Sequence, residues 1–179
     1  MSLHARDGKN ANAAVAVSVS PEDFGNDALR AMEFQRTLER RAFAAGGGGY
    51  AAPAENVQSF LKGEGKLNIT DVQPTYPRGV TAANLGALLA EELAETLRIG
   101  LGAFDRKLRG YTAPEAVLTG LETRTSGPIR LQRGEDFISR DIDGLYPCGE
   151  GAGYAGGIMS AAVDGVRVAS AVLRSLEHF

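Results

Sequence analysis

The stretch GLYPCGEGAGYAGGI, residues 144–158, decides how the fold of this chain is interpreted. Its apolar part, residues 145–148, predicts a short strand, the glycines after it predict a loop, and the small residues from Ile158 onward predict a helix. A helix that begins directly after such a loop presents unpaired backbone N–H groups and the positive end of its macrodipole. The stretch therefore indicates a binding site for a phosphate or an electron-rich ring.

Residues 151–156 match the pattern G-x-G-x-x-G, which is typical of dinucleotide-binding loops. A complete Rossmann unit also needs a second parallel strand after the helix and an acidic residue about 20 positions farther on. The sequence ends at Phe179, before such a strand. We therefore expect the loop to belong to the last strand-loop-helix segment of a larger sheet whose first strands lie elsewhere.

The composition is that of a globular protein with one sizeable core, 44% hydrophobic and 23% charged over 179 residues. A net charge of -3 gives no electrostatic reason to expect nucleic acid or an anionic membrane as a partner. Cys148 is the only cysteine, so no internal disulfide can form. Two histidines alone give no reason to expect a zinc site. The sequence shows no signal peptide and no long apolar run, so we expect a cytoplasmic protein.

Hydrophobic periodicity predicts a strand and a helix in the first part of the chain. Residues 13–20 alternate valines with small residues, which is the period of a strand with one packed face. Residues 26–45 have a helical period, with Asn26 or Asp27 available as the N-cap. The glycines at residues 46–49 predict the end of this helix.

The middle of the chain predicts loops, then helix, then strands. Residues 50–78 are rich in proline and glycine and predict loops with one helical turn near residues 57–61. Thr81 is predicted to cap a helix that breaks near Gly100 and Gly102 and carries the apolar stripe Leu85, Leu88, Leu89, Leu93 and Leu97. Residues 116–131 return to strand periodicity. The pattern favours a helical region inserted between strands of one sheet.

Five residues outside the glycines are candidate ligands. Glu150 follows the predicted strand, where its carboxylate can accept hydrogen bonds from ribose or ribityl hydroxyls, or can instead cap neighbouring N–H groups. Arg124 and Ser126 end another predicted strand, and Arg6 and Asn12 precede one, positions where open α/β sheets collect ligand groups. Arginines there are more often solvated or ion-paired. The sequence shows no Ser-His-Asp pattern, metal cluster or carboxylate pair, which disfavours acyl transfer, hydrolysis and metal catalysis.

Several stretches together resemble a known family. They are MSLHARDGKNAN at residues 1–12, EFQR at 33–36, GGGY at 47–50, LETRTS at 121–126 and GLYPCGEGAGYAGG at 144–157, followed by Asp164 and Gly165. In combination they are similar to the C-terminal part of the uncharacterised FAD-dependent dehydrogenases, flavoproteins of the glutathione-reductase-like superfamily.

The resemblance implies an α/β fold and a division of the chain. The fold would be a partial, Rossmann-like FAD-binding domain that lacks its N-terminal nucleotide-binding unit. Residues 1–22 and 112–179 would form the C-terminal part of this domain. Residues 23–111 would form an inserted, mainly helical cap or substrate subdomain.

The resemblance also implies FAD as the cofactor of a longer parent protein. Gly149 and Glu150 would lie beside its pyrophosphate and ribityl chain, and the start of the last helix at Ile158 would face the flavin ring. The ring would be lined by Gly151, Ala152, Gly153, Gly156 and Gly157.

We expect such a fragment to be inactive alone and to bind FAD weakly or not at all. Its expected partners are the missing N-terminal FAD-binding segment of the same polypeptide and an unknown small-molecule substrate. Self-association through exposed apolar surface is a further expectation. The alternative is a small non-catalytic module that binds a nucleotide or phosphate, or that serves as an interaction domain.

Overall fold

A computed structural model describes residues 4–124 and 127–176. Over these residues the fold is α/β, with four helices and a small mixed sheet of three strands. The helices are α1 (Ala28–Ala45), α2 (Val57–Lys62), α3 (Glu91–Lys107) and α4 (Ile158–Leu176). The strands are β1 (Ala52–Asn56), β2 (Val80–Ala82) and β3 (Val117–Thr119). Short 3-10 helices cover Pro21–Phe24 and Gly86–Leu88.

The chain forms two compact units. We call Met1–Val19 with Arg36–Thr123 the sheet unit, and Ser20–Gln35 with Arg124–Phe179 the glycine-loop unit. The boundaries between them fall after Val19, within α1 after Gln35, and after Thr123. The assignment of residues 1–22 and 112–179 to a cofactor domain, with residues 23–111 as its insertion, concerns a longer protein and stays a prediction.

The sheet is built around β1, which pairs with β2 in parallel and with β3 in antiparallel orientation. Its register places Ala52 opposite Val80 and Glu55 opposite Leu118. Residues 50–78 were expected to be loops, and this central strand contradicts that expectation. Its sequence, Ala-Pro-Ala-Glu-Asn, has none of the β-branched or aromatic residues that usually mark a strand.

The core of the sheet unit lies where α2, the turn before α3, and α3 itself meet. Phe60 is 2% exposed and Leu101 is 1% exposed. They pack with Val57 and Leu85. Half-buried side chains surround this cluster, namely Val15, Leu61, Leu88, Leu97, Tyr111, Ala116 and Leu118. The expected helical turn near residues 57–61 is confirmed as α2.

A buried carboxylate ties the sheet to the segments around it. Glu55 in β1 is 0% exposed. One of its oxygens accepts a hydrogen bond from the backbone N–H of Leu85 at 2.7 Å. The other accepts from the Ser59 hydroxyl at 3.0 Å and from the backbone N–H of Gly65 at 3.2 Å. Because a buried carboxylate needs several donors, Glu55 fixes the positions of three separate segments.

The expected bounds of the first helix are confirmed. Asp27 caps α1, since its Oδ1 accepts hydrogen bonds from the N–H groups of Leu29 at 2.9 Å and Arg30 at 3.3 Å. At the other end, the N–H of Gly46 closes the last turn on the carbonyl of Ala42 at 2.9 Å. Local signals were sufficient here because both ends of the helix use residues close in sequence.

The expected helix beginning at Thr81 is wrong. Thr81 lies in β2, and α3 begins only at Glu91. The expected break is also absent, because Gly100 and Gly102 lie within α3. Each glycine in a helix interior costs about 1 kcal/mol relative to alanine. Burial of Leu101 between them offsets this cost.

Three predicted strands are not formed as expected. Residues 13–20 and 145–148 belong to no strand, and of the described residues within 116–131 only Val117–Thr119 pairs in the sheet. Val15 and Val17 are still more buried than their neighbours, as the alternation predicted. Alternation reports which side chains face a core, but a strand also needs a neighbouring backbone to pair with. Among the described residues, no neighbouring strand pairs with residues 13–20 or with residues 145–148.

Candidate functional site

The glycine loop, residues 149–157, begins with turns over residues 149–153 and leads into α4, whose start at Ile158 is as predicted. The N–H of Gly153 donates to the carbonyl of Glu150 at 2.9 Å, and that of Tyr154 donates to the carbonyl of Gly149 at 3.0 Å. Gly149 and Gly153 have φ of 69° and 81°. These left-handed conformations explain why glycine stands at both positions.

The substitution Gly153→Ala is expected to destabilise the glycine-loop unit by about 2 kcal/mol. Its φ is positive, and an added Cβ would lie 2.5 Å from the Ile129 carbonyl oxygen. Gly151 is the matched control, since a Cβ there meets nothing within 4 Å. Urea unfolding of both variants, followed by circular dichroism, should separate them. Equal unfolding midpoints would show that the turn at Gly153 is not constrained.

An ion pair fixes the loop to α4. The guanidinium of Arg133 binds Asp164 through two hydrogen bonds, Nη2 to Oδ1 at 2.6 Å and Nη1 to Oδ2 at 3.0 Å. Asp164 Oδ2 also accepts the backbone N–H of Gly149 at 2.8 Å, and Arg133 Nη1 donates to the carbonyl of Pro147 at 2.6 Å. The side chains of Arg133 and Asp164 are only 9% and 12% exposed. The pair therefore holds both the loop and the segment before it.

Aromatic rings enclose the same arginine. Its guanidinium carbon lies 3.7 Å from the centroid of the Tyr154 ring and 4.7 Å from that of Phe137. The Tyr154 hydroxyl accepts the backbone N–H of Arg133 at 3.1 Å and donates to the carbonyl of Leu131 at 3.0 Å. Stacking and hydrogen bonding together restrict Arg133 to one geometry. The loop is thus a preorganised element.

The stability of the glycine-loop unit should fall at acid pH. The Arg133 guanidinium, helped by the N–H of Gly149, lowers the pKa of Asp164 from 3.8 to about 2. Because the folded pKa lies below the unfolded one, the stabilisation is complete above about pH 4 and is lost as the pH falls toward 2. Unfolding free energies measured between pH 5 and 2 should fall for the wild type and fall less for Asp164→Asn. Parallel curves for the two proteins would contradict this assignment.

The expectation of a loop with bare amides needs correction. The N–H of Gly149 donates to Asp164, and that of Gly157 donates to the Ser160 hydroxyl at 3.2 Å. Those of Gly153 and Tyr154 are used within the turns. The loop and side chains of α4 satisfy these donors, because backbone N–H groups in an ordered segment need partners.

Other groups of the loop remain available to a ligand. Within residues 4–124 and 127–176, the N–H groups of Gly151, Ala152 and Ile158 have no hydrogen-bond partner, and of these residues Ala152 is buried. Ile158 is 91% exposed, and Glu150 and Gly151 are also exposed. The start of α4 therefore retains the bare donors and positive dipole end that favour an electron-rich group.

The predicted substrate residues lie in different parts of the chain. Arg6 and Asn12 are exposed and belong to the sheet unit, and Arg124 is exposed and belongs to the glycine-loop unit. Asn12 and Arg124 each have an interaction partner. Ser126 lies outside the described residues. A substrate role for these four residues stays a prediction.

Sequence reasoning missed Arg133. A usable signal existed on the helix, since Asp164 shares the buried face of α4 with Val168 and Ala171. A carboxylate on such a face needs a partner. The partner could not be named, because Arg133 lies 31 residues away in a segment without periodicity.

The described parts of the chain contain neither a membrane-spanning helix nor a metal-binding cluster. No helix there is long and apolar enough to span a bilayer. No group of three or more histidine, cysteine, aspartate or glutamate side chains there is arranged to hold a metal ion.

Comparison with known proteins identifies the family. Residues 1–125 match the model of the family described as "FAD-dependent protein, C-terminal domain-like". An uncharacterized protein of Clostridium beijerinckii is 48% identical over 178 residues, which cover 99% of this chain and 33% of that protein. The chain thus spans about a third of the length of the curated relative it matches, at its C-terminal end. On these matches, the chain belongs to the FAD-dependent protein, C-terminal domain-like family.

Proposed function

We propose that this chain is the C-terminal region of a FAD-dependent oxidoreductase of the dehydrogenase type, within the glutathione-reductase-like superfamily. The family match is the observation that carries the proposal. The geometry of residues 149–157 supports it, because a preorganised loop leads into a helix whose first N–H groups are open. In this proposal the adenine-facing half of the cofactor site comes from preceding polypeptide of the same protein.

The residues present fit a flavin-facing role. Bound FAD would supply the redox chemistry, since its ring accepts a hydride. The open N–H groups of Gly151 and Ile158, together with the dipole of α4, would stabilise negative charge on the ring. Glu150 would accept hydrogen bonds from ribityl hydroxyls. The absence of side chains at the exposed Gly151, Gly156 and Gly157 would allow close approach of the ring. Gly149, Ala152 and Gly153 would support this surface from behind, since Ala152 is buried and Gly153 packs against Ile129.

The Arg133–Asp164 pair would act through the loop and not on the cofactor itself. Its hydrogen bonds go to Gly149 and Pro147, which fixes the direction in which the loop leads into α4. A cofactor site of this kind gains affinity from being ordered before the ligand arrives.

The domain division and location belong to the same proposal. Residues 1–22 and 112–179 would complete the FAD domain, and residues 23–111 would cover the flavin as a cap or substrate region. The missing N-terminal FAD-binding segment would be the main partner. A cytoplasmic location is proposed, with an unknown small molecule as the substrate.

The test compares two proteins, the 179-residue chain and a chimera in which this chain replaces the C-terminal third of the Clostridium beijerinckii relative. We expect the chimera to purify with FAD, and the chain alone to form no stoichiometric yellow complex when titrated with FAD. A chimera that folds without flavin would contradict the proposal. A chain that binds inorganic phosphate or a nucleotide while its chimera holds no flavin would favour the small binding module.

A single substitution makes this test specific to the loop. Gly151 is exposed and has open space for a side chain, so Gly151→Asp should leave the stability of the chain unchanged. In the chimera it should weaken FAD binding by about tenfold or more, because it places a charge against an electron-rich ring. Gly49→Asp is the control, since Gly49 is also exposed with open space around it. Equal flavin affinity in both variants would show that Gly151 does not contact the flavin.

A further inference from the structure

One side of α4 is apolar and faces solvent, opposite the side that it buries. The buried side carries Val168 and Ala171, together with the paired Asp164. On an ideal helix, Val166 and Leu173 lie on the opposite side. They are 67% and 63% exposed. Other exposed apolar side chains of the helix are Ile158, Met159, Val163 and Leu176. A contiguous apolar surface of this kind is unusual for a protein that works alone.

The character of this outward face shows what kind of surface it fits. Small residues, Ala162 and Ala169, lie beside Val166 and Leu173 on the helix. They allow another backbone to approach closely, while the larger side chains supply the apolar area. Charge is restricted to the flank, where Arg167 and Arg174 stand. The matching surface is therefore aliphatic and uncharged at its centre.

The length of the related protein indicates where that surface comes from. The chain matches a third of the Clostridium beijerinckii protein, at its C-terminal end, so two thirds of such a polypeptide precede the matched region. A segment next to α4 also leaves backbone N–H groups unpaired. The N–H groups of Tyr146 and Cys148, in the predicted strand at residues 145–148, have no partner among residues 4–124 and 127–176. Two unpaired N–H groups and an uncovered helix face, both in the glycine-loop unit, are expected where a neighbouring part of the protein packs in the full-length relatives.

We infer that the outward face of α4, centred on Val166 and Leu173, is the docking surface for an aliphatic face of the polypeptide that precedes this region in the full-length family proteins. This inference rests on the proposed function only for the existence of that preceding polypeptide. It adds the surface through which the two parts are held together. The occupant is the preceding part of the same protein and not a second copy of this chain.

Cysteine reactivity tests the inference in the chain and in the chimera described above. Val166→Cys is made in a Cys148→Ser background, because Cys148 is itself exposed. The introduced thiol should react readily with a maleimide in the 179-residue chain and at least about tenfold more slowly in the chimera. Leu173→Cys is a second reporter on the same face. Arg167→Cys is the matched control on the polar flank and should react equally in both proteins.

The remaining outcomes are also decisive. Equal reactivity of the thiol at position 166 in chain and chimera would overturn the inference. Protection already present in the isolated chain, at a concentration where light scattering shows it to be a monomer, would also overturn it. A chimera that protects position 166 but holds no flavin would support the docking surface and contradict the proposed function. The two proposals can therefore fail separately.

Discussion

Asp164→Ala is expected to lower the free energy of unfolding of the glycine-loop unit by about 3 kcal/mol, because removing one member of a buried ion pair leaves the other charge uncompensated. The Arg133 side chain is 9% exposed and would lose two hydrogen bonds, and the N–H of Gly149 would lose its acceptor. Urea unfolding at neutral pH, followed by tyrosine fluorescence, measures the change. Tyr154, one of five tyrosines, stacks on Arg133 and contributes the part of the signal that comes from the site.

Two further variants make this result interpretable. Asp143→Ala removes an exposed carboxylate of the same unit and should change the stability little. The double variant Arg133→Met with Asp164→Leu replaces both charges with apolar groups and should recover much of the loss. If Asp164→Ala is no more destabilising than Asp143→Ala, the ion pair does not hold the loop.

Glu55→Ala is expected to destabilise the sheet unit by about 3 kcal/mol, because it leaves buried donors without an acceptor. The affected groups are the N–H of Leu85, the N–H of Gly65 and the hydroxyl of Ser59. Glu55→Gln should cost less, since it keeps one carbonyl oxygen as an acceptor. Thermal and urea unfolding measured by circular dichroism would give both values.

The matched control for Glu55 is Glu92→Ala, which removes an exposed carboxylate from α3. It should lie within about 0.5 kcal/mol of the wild type. A Glu55→Ala protein as stable as this control would mean that water replaces the carboxylate. In that case the segments bearing Gly65 and Leu85 would be held by packing and by their other hydrogen bonds, such as that of the Ala83 N–H to the Ala54 carbonyl.

Local features of the sequence predicted the helices whose ends are determined locally. Asp27 and Gly46 gave the bounds of α1, and the glycines before Ile158 gave the start of α4. In each case the deciding hydrogen bonds join residues within a few positions of one another. The leucines from residue 85 to 97 were predicted to form one helical stripe. Leu85, Leu88 and Leu97 do contribute to the core, but they lie at the 3-10 helix Gly86–Leu88 and in α3, and not in one helix.

Strands were predicted poorly because their formation depends on segments that are far apart in the sequence. Residues 13–20 have the alternation of a strand and form none, whereas β1 lacks that alternation and is the central strand. Whether a segment is a strand depends on the backbone beside it, which can come from any distance along the chain. The partner of β1 in β3 is more than sixty residues away, at Thr119 opposite Ala54.

The amino-acid sequence by itself determined the family, the glycine loop with its following helix, and the ends of α1, because these depend on residue identity and on hydrogen bonds between near neighbours. Only the tertiary structure showed that Arg133 and Asp164 hold the loop, that Glu55 holds the sheet unit, and that one face of α4 is left uncovered. Each of these depends on groups brought together from distant parts of the chain. Burial makes their pairing energetically necessary, but the sequence does not say which groups will meet.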